Sequence, residues 1–363
     1  MIDSFQVDDA EPASHGHESA HDIPAFAHRL RDAIRESRAP VILTHANPDA
    51  DAAAAAIGIS TLVRSFDVEP VLVASGDAAL PANLEFLPGA LEMRRSDDQA
   101  VVDADLLILV DCSDPSRLGP LFYRLGTEFE RNRPIVNIDH HVTNHRFGTL
   151  NLVVPEAAST AEVMVGLFDE LGVEIEPVCA TALLAGIYGD TLGLRTPSTT
   201  PNALRTAAEL IEKGADLDSI VDALFRKKPY STICLWAEAL QRAQWRRGLI
   251  WTAIDPGMLE RTGADRSEAE GIVNFLAGTI GARASALLYE ESWGWRVSMR
   301  SLADDVNVAT LLGLFGGGGH ARAAGARLEP GAESRERFLD EVASILGDRD
   351  DTSGASNSGD EPV

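Results

Sequence analysis

The feature that most constrains this chain is an alternation of two patterns. Short apolar runs bounded by turn-forming residues are separated by amphipathic stretches of helical period. The runs at 41–44, 71–74, 105–110 and 135–138 are rich in Val, Ile and Leu. Such runs are too short for buried helices and read as strands covered on both faces, the condition of a parallel sheet. Helical stretches lie between them, as at 52–66, so the order is β-α-β-α. The expected fold class is therefore α/β, with a doubly wound, mainly parallel sheet. Beyond about residue 155 helices dominate, at 160–171, 177–188, 201–213 and 217–225. A helix near 230–246 then leads into a region where 249–254, 284–290 and 293–299 alternate like strands, with Trp293 and Trp295 packing a hairpin around Gly294. The expected organisation is a catalytic domain at 23–228, a connecting helix at 229–245 and a smaller α/β domain at 246–346. The acidic segments 1–22 and 347–363 have almost nothing to bury and are expected to be disordered. His15, His17 and His21 fall in the first of these, where a flexible tail would lose too much entropy to hold a metal.

Polar residues sit where these strands end. The first run is followed by Thr44-His45-Ala46-Asn47-Pro48-Asp49-Ala50-Asp51 and then an alanine-rich helix; the third ends in Asp111; the fourth ends in Asp139-His140-His141. In open α/β sheets ligands bind at the carboxyl ends of the strands, so these distant segments converge on one crevice. Asp190, after the helix that begins near 177, can close the set. Taken singly, Asp49 could cap a helix and Asp111 could begin a turn. Taken together, the carboxylates would repel one another and raise their own pKa values unless cations neutralised them. Four Asp and two His without thiolate suit Mn²⁺ or Mg²⁺, and less comfortably Co²⁺ or Zn²⁺. Two such ions can clamp the attacking and leaving oxygens of a phosphoryl displacement.

At this point a resemblance becomes specific. His45-x-Asn-Pro-Asp49-x-Asp51, Val110-Asp111, Asp139-His140-His141 and Gly189-Asp190-Thr191 resemble, in order, the motifs of the DHH phosphoesterase superfamily. Val297-Ser-Met-Arg300-Ser and Gly316-Gly-Gly-Gly-His320-Ala-Arg-Ala-Ala-Gly325 resemble the DHHA1 substrate-binding domain that follows the catalytic domain in that family. The resemblance spans about residues 25–345. It implies one cation held by His45, Asp49 and Asp111 and a second held by Asp51, Asp111, His140 and Asp190, with Asp111 as the bridge. It also implies that His141 lies beside the phosphate and that Asp139 orients its neighbours. Gly317, Gly318 and Gly319 would present backbone N–H groups to a phosphate, with a helix starting near His320 adding its positive end and Arg300 pairing with the same anion. Ala50 and Leu192 stand where relatives often carry Gly, which bears on the loop near the second cation and on Arg195.

The compact arrangement resembles the branch of nanoRNases and pAp phosphatases, which shorten very small RNAs and dephosphorylate 3′-phosphoadenosine 5′-phosphate (pAp). RecJ-like single-strand exonucleases and cyclic-dinucleotide phosphodiesterases are the alternatives, and an idle nucleotide-binding scaffold the non-enzymatic one. A homodimer through the catalytic domain is a further implication. The charge bears on substrate size: 31 Lys and Arg against 56 Asp and Glu give a net charge of −25, which argues against a broad basic groove for long duplex DNA. A short single-stranded RNA or DNA or a small nucleotide fits better. Cys112, Cys179 and Cys234 form no C-x-x-C pair, and no apolar run approaches the roughly 20 residues of a membrane span. A reduced, cytoplasmic setting without membrane association is the expectation.

With only three lysines, Lys213, Lys227 and Lys228, the acidic surface suits molar salt, where screening lengths shrink to about 3 Å. The melting temperature is expected to rise between dilute buffer and molar KCl. Equal melting temperatures in the two would remove the halophile reading.

Overall fold

A computed structural model describes residues 22–77, 80–129 and 133–347. The acidic ends and the histidines at 15, 17 and 21 lie outside the described residues. The chain divides into two compact units, up to Lys227 and from Lys228 onward.

The first unit is built on a six-stranded sheet: β1 Pro40–Thr44, β2 Val71–Ala74, β3 Arg94–Arg95, β4 Leu106–Val110, β5 Ile135–Asp139 and β6 Leu150–Val153. The order is β3-β2-β1-β4-β5-β6 and every pairing is parallel. Strands β1 and β4 are buried at every position, as the continuous apolar runs require of a sheet covered on both faces. The chain builds outward to β3, then restarts at β4 on the other side of β1. Between β1 and β4 the winding therefore reverses, and a crevice opens beyond their carboxyl ends. The strand runs β3 and β6 escaped the sequence reading, because one is two residues long and the other is broken by Asn151.

On one face lies the helix Ala50–Arg64, almost entirely buried. A helix that is apolar all round belongs in a core. Its partner is the helix Pro177–Asp190, which is buried from Cys179 to Ile187. Small residues set how closely the two approach. A Cβ on Gly58 would come within 2.8 Å of Leu183, one on Gly189 within 2.7 Å of Ala50, and one on Gly186 within 2.6 Å of Ala161 and 2.9 Å of the Asp51 carboxylate. This close packing brings the start of one helix, with Asp51, to the end of the other, with Asp190.

The second unit has a mixed six-stranded sheet made of β7 Gln244–Arg246, β8 Leu249–Ile254, β9 Ala284–Glu291, β10 Gly294–Ser301, β11 Gly318–His320 and β12 Ala323–Leu328, in the order β11-β12-β10-β9-β8-β7. Only β8 and β9 run parallel; the other pairs are antiparallel. The helices Val308–Gly313 and Ala332–Gly347 pack on one face around Val297, Met299 and Phe338. The expected helix near 230–246 is shorter, Tyr230–Gln241. Its last residues turn into β7 because Arg247 and Gly248, at φ 44° and 79°, close a tight hairpin with β8. At the β9–β10 hairpin Gly294 is required: its φ is 143°, and a Cβ there would sit 2.1 Å from the Leu328 carbonyl oxygen.

Replacing Gly186 by Ala should force the two central helices apart and cost about 1–3 kcal/mol of stability. Because the added methyl meets Asp51, divalent-cation affinity should fall with the melting temperature. Unchanged values of both, by calorimetry and metal titration, would show that the helices have room to spare.

Candidate metal centre

Each acidic or imidazole group at the crevice is placed by an identifiable local device. His45 leaves the end of β1 and is 6% exposed. Asp49 caps the next helix, its Oδ1 accepting from the N–H groups of Asp51 and Ala52, both at 3.1 Å. The capping role that Asp49 could have had alone is thus real, and it coexists with a place in the cluster. Asp51, fully buried, accepts from the backbone N–H of Thr160 at 2.6 Å and of Ala161 at 2.8 Å. Those two amides open the helix Thr160–Leu171, so the positive end of a helix faces the buried carboxylate. Asp111 sits at the end of β4 with φ 53°, a left-handed conformation unusual outside Gly and held here by the sheet, its amide donating to Ile138 O at 3.0 Å. Thr160 Oγ1 donates to Asp111 Oδ1 at 3.0 Å.

Asp139 organises the third strand end. Its Oδ1 accepts from the amides of His140 at 2.8 Å and His141 at 3.2 Å and lies 2.7 Å from His141 Nδ1, while Oδ2 accepts from Asn144 at 2.6 Å. His140 and His141 diverge from this brace with ring centroids 4.7 Å apart. Asp190 ends its helix with Oδ2 3.1 Å from His140 Nε2.

The groups fall into overlapping sets whose ligand atoms lie within 4.8 Å of one another: His45 with Asp49 and Asp111, Asp51 with His140 and Asp190, and Asp111 with His140 and His141. Asp111 belongs to two sets and stands between the other two, with His45 Nε2 at 3.5 Å from one oxygen and His140 Nε2 at 3.8 Å from the other. His45 Nε2 and His140 Nε2 are buried without a hydrogen-bond partner. Orphaned imidazole nitrogens facing crowded carboxylates are what cation binding would satisfy, so the donor set fits two divalent ions.

Electrostatics say the same. Burial, then repulsion from Asp190, pushes Asp51 up to about 8. Burial, then repulsion from Asp51 and Asp49, drives Asp111 well above the usual carboxylate range. Burial pushes His45 down to about 4, whereas at His140 the same effect is outweighed by Asp190 and Asp51, which carry it to about 9. Asp139 escapes: burial would raise it, but the hydrogen bonds from His141 and Asn144 hold it below its ordinary value.

Sequence reasoning missed several participants. Arg117, in the turn Pro115–Leu118, has Nη1 3.4 Å from His141 Nε2 and acts electrostatically on His45. Asn137 and Asn144 support Asp139 from behind, with Asn144 donating to Asn137 Oδ1 at 2.8 Å. A signal existed for Asn137, a polar residue between Val136 and Ile138 in a buried strand; none marked Arg117. Leu192 does adopt the glycine-like conformation its position suggests, with φ 49°, and its carbonyl accepts from Arg195 Nε at 2.6 Å.

The expected phosphate cradle of the second unit needs correction. No helix starts near His320; Gly318–His320 is the strand β11, paired antiparallel with β12. Gly317 is also committed, its N–H donating to Leu312 O at 2.9 Å to close the preceding helix. Gly318 and Gly319 remain on an edge strand, whose outward N–H groups have no strand partner. Arg300 projects from β10, with Nε donating to Asn274 Oδ1 at 2.8 Å and Nη1 to Met299 O at 3.0 Å.

Comparison with known proteins agrees with this geometry. Residues 40–187 match the model of the DHH family N-terminal domain and residues 252–348 that of the DHHA1 domain. Over 313 residues the chain is 34% identical to the bifunctional oligoribonuclease and PAP phosphatase NrnA of Thermus thermophilus, covering 84% of this chain and 90% of that protein. It is 32% identical to the cyclic-di-AMP phosphodiesterase GdpP of Geobacillus thermodenitrificans, of which it spans 46%, with 84% of this chain covered. A crystal structure of an exopolyphosphatase-related protein from Bacteroides fragilis shares the fold, with a TM-score of 0.81 at 22% identity over 89% of this chain and 97% of that one.

Between pH 6.5 and about 9 the folded protein keeps protons on His140 and Asp51 that the unfolded chain releases, so metal-free stability should fall as pH rises through that window. His45, pushed down to about 4, works the other way at the acid edge of that window, where the unfolded imidazole still holds part of its proton, and adds nothing above it. Because cations displace those protons, saturating Mn²⁺ or Mg²⁺ should raise the melting temperature more at the alkaline end than at pH 6.5. A metal-induced shift independent of pH would exclude these groups as ligands.

Proposed function

The chain belongs to the DHH family of phosphoesterases, and we propose that it hydrolyses short single-stranded oligonucleotides and pAp-like nucleotides with the help of two divalent cations, Mn²⁺ first. The observation that carries this reading is the shared Asp111, with orphaned imidazoles on either side of it. One cation would be held by His45, Asp49 and Asp111, the other by Asp51, Asp111, His140 and Asp190. Bound there, the ions supply Lewis-acid activation of water and neutralise charge on the phosphoryl group.

The chain's own residues do the rest. Asp139 accepts the Nδ1 proton of His141, which fixes the tautomer and leaves Nε2 facing Arg117 and the space where a phosphate would lie. Arg117 makes no ion pair among the described residues, although carboxylates surround the crevice, so its guanidinium is available to phosphoryl oxygens that gain charge during displacement. In the second unit Arg300 and the outward-facing amide of edge strand β11 suit the phosphate or sugar of a nucleotide. The relative named as an oligoribonuclease and PAP phosphatase, matched over 90% of its length, supports this substrate class. The 32% identity to a cyclic-di-AMP phosphodiesterase makes a cyclic dinucleotide the second candidate. No helix among the described residues is long and apolar enough to cross a membrane. A cytoplasmic homodimer joined through the catalytic domain belongs to the same proposal.

The test compares pAp, RNA of two to five nucleotides, long single-stranded DNA and a cyclic dinucleotide with Mn²⁺ at several KCl concentrations. Turnover is expected on the first two. Processive degradation of long DNA would favour a RecJ-like activity instead. Asp111→Ala should abolish turnover, whereas Arg117→Gln should lower kcat by about 10²–10³ without weakening metal binding. Wild-type kcat in the Arg117 variant would remove that residue from the reaction.

A further inference from the structure

Asp51 and Asp111 reach the crevice from different elements, one from the start of the helix Ala50–Arg64 and the other from the end of β4. Ionised, they would repel one another. One residue touches both. Thr160 donates its backbone N–H to Asp51 Oδ2 at 2.6 Å and its hydroxyl to Asp111 Oδ1 at 3.0 Å. The two oxygens it holds are those on the His140 side, with His140 Nε2 3.9 Å from Asp51 Oδ2 and 3.8 Å from Asp111 Oδ1. The other oxygen of Asp111 faces His45, whose Nε2 is 3.5 Å away. Thr160 therefore acts on the half of the crevice formed by Asp51, His140 and Asp190, and on the carboxylate that both halves share.

Thr160 is held from behind by bonds that do not involve the crevice. Ser159 and Thr160 are fully buried. Ser159 caps the helix Thr160–Leu171, its Oγ accepting from the amide of Glu162 at 3.1 Å. Glu162 reaches back, Oε2 accepting from the amide of Ala158 at 2.7 Å while Oε1 accepts from Asn202 at 2.7 Å. The start of the helix is thus locked by its own caps. The branched Cβ of threonine leaves few rotamers, which keeps the hydroxyl aimed. The other imidazole close to Asp111 Oδ1 does not replace it: His141 Nδ1 is 3.5 Å away but only 2.7 Å from Asp139 Oδ1, to which its proton is committed. What turns the Asp111 carboxylate toward His140 is the Thr160 hydroxyl.

We propose that Thr160 is the positioning residue of the second cation site: it fixes Asp51 and Asp111 relative to each other through one amide and one hydroxyl, so that this half of the crevice is formed in advance. The inference rests on the two-cation phosphoesterase reading above and deepens it. Groups that orient a ligand in this way change metal affinity or activity by about 10–100-fold when removed. The effect belongs to the hydroxyl and not to the bulk of the side chain, and it falls on one of the two cations more than on the other.

The experiment uses the full chain with Thr160→Val, which removes the hydroxyl and keeps the branched shape, beside Thr160→Ser, which keeps the hydroxyl and drops the methyl. Thr160→Ala stands in for Thr160→Val should the latter not fold. Calorimetric titration of the metal-free protein with Mn²⁺ should resolve two affinities in the wild type, of which one weakens about tenfold in Thr160→Val and the other changes by less than about twofold. At equal Mn²⁺, electron paramagnetic resonance should show the signal of spin-coupled pairs giving way to that of isolated ions. On pAp, kcat should fall about tenfold with KM unchanged, and Thr160→Ser should recover affinity, spectrum and kcat. Two wild-type Mn²⁺ affinities in Thr160→Val would overturn the proposal. So would a Thr160→Ser variant as impaired as Thr160→Val, which would make packing the cause. A wild type that takes up two Mn²⁺ but cleaves no phosphoester removes the enzymatic reading and leaves the titration and the spectrum to decide on Thr160, whereas a wild type that takes up fewer than two overturns both.

Discussion

The structure of the first unit depends on a conflict of charge. Asp51 and Asp111 are buried carboxylates within reach of Asp49, Asp190 and Asp139, and the repulsion among them is the main force acting on the crevice after burial itself. Two partial answers are built in as hydrogen bonds. The amides of Thr160 and Ala161 point the positive end of a helix at Asp51, and the His141–Asn144 brace keeps Asp139 ionised. Neither donates to Asp111, which stands at the centre with a left-handed backbone, the Thr160 hydroxyl as its side-chain donor and His141 Nδ1 3.5 Å away. Without cations a proton neutralises Asp111, and the unpartnered nitrogens of His45 and His140 stand beside it.

That arrangement is possible because the helices behind it carry small residues where they cross. The Ala-rich helix Ala50–Arg64 and the helix Pro177–Asp190 meet through Gly58, Gly186 and Gly189, and their proximity sets the separation of Asp51 from Asp190. Larger residues would supply more apolar burial to the core, but they would widen the gap between the carboxylates. Packing and chemistry are one constraint here.

Much of this was legible in the sequence, and the reasons differ by element. Strands β1, β4 and β5 announced themselves because both faces are buried, leaving runs rich in Val, Ile and Leu, broken in β5 by Asn137 alone, and their terminal Asp and His residues marked the crevice. The helices after residue 155 were readable from periodicity. Strand β3 was not, since two arginines carry no apolar pattern, and β7 was absorbed into a helix because Arg247 and Gly248 gave a turn no stronger signal than a helix end. The glycine run at 316–319 misled in a specific way. It suggested a loop before a helix, while in fact Gly317 and Gly319 are glycine because Cβ atoms there would strike Gly325 O at 2.4 Å and Ala323 O at 2.6 Å. Arg117 was silent for a different cause: its role comes from where a short turn aims it, which no spacing encodes.

The crevice draws its donors from positions as far apart as His45 and Asp190, with Asp111 and the pair after β5 between them. During synthesis, therefore, the cluster of carboxylates and imidazoles stays incomplete until the segment ending at Asp190 has been exposed and docked. A truncated or stalled product lacking that helix would be missing Asp190, and with it the close neighbour of His140.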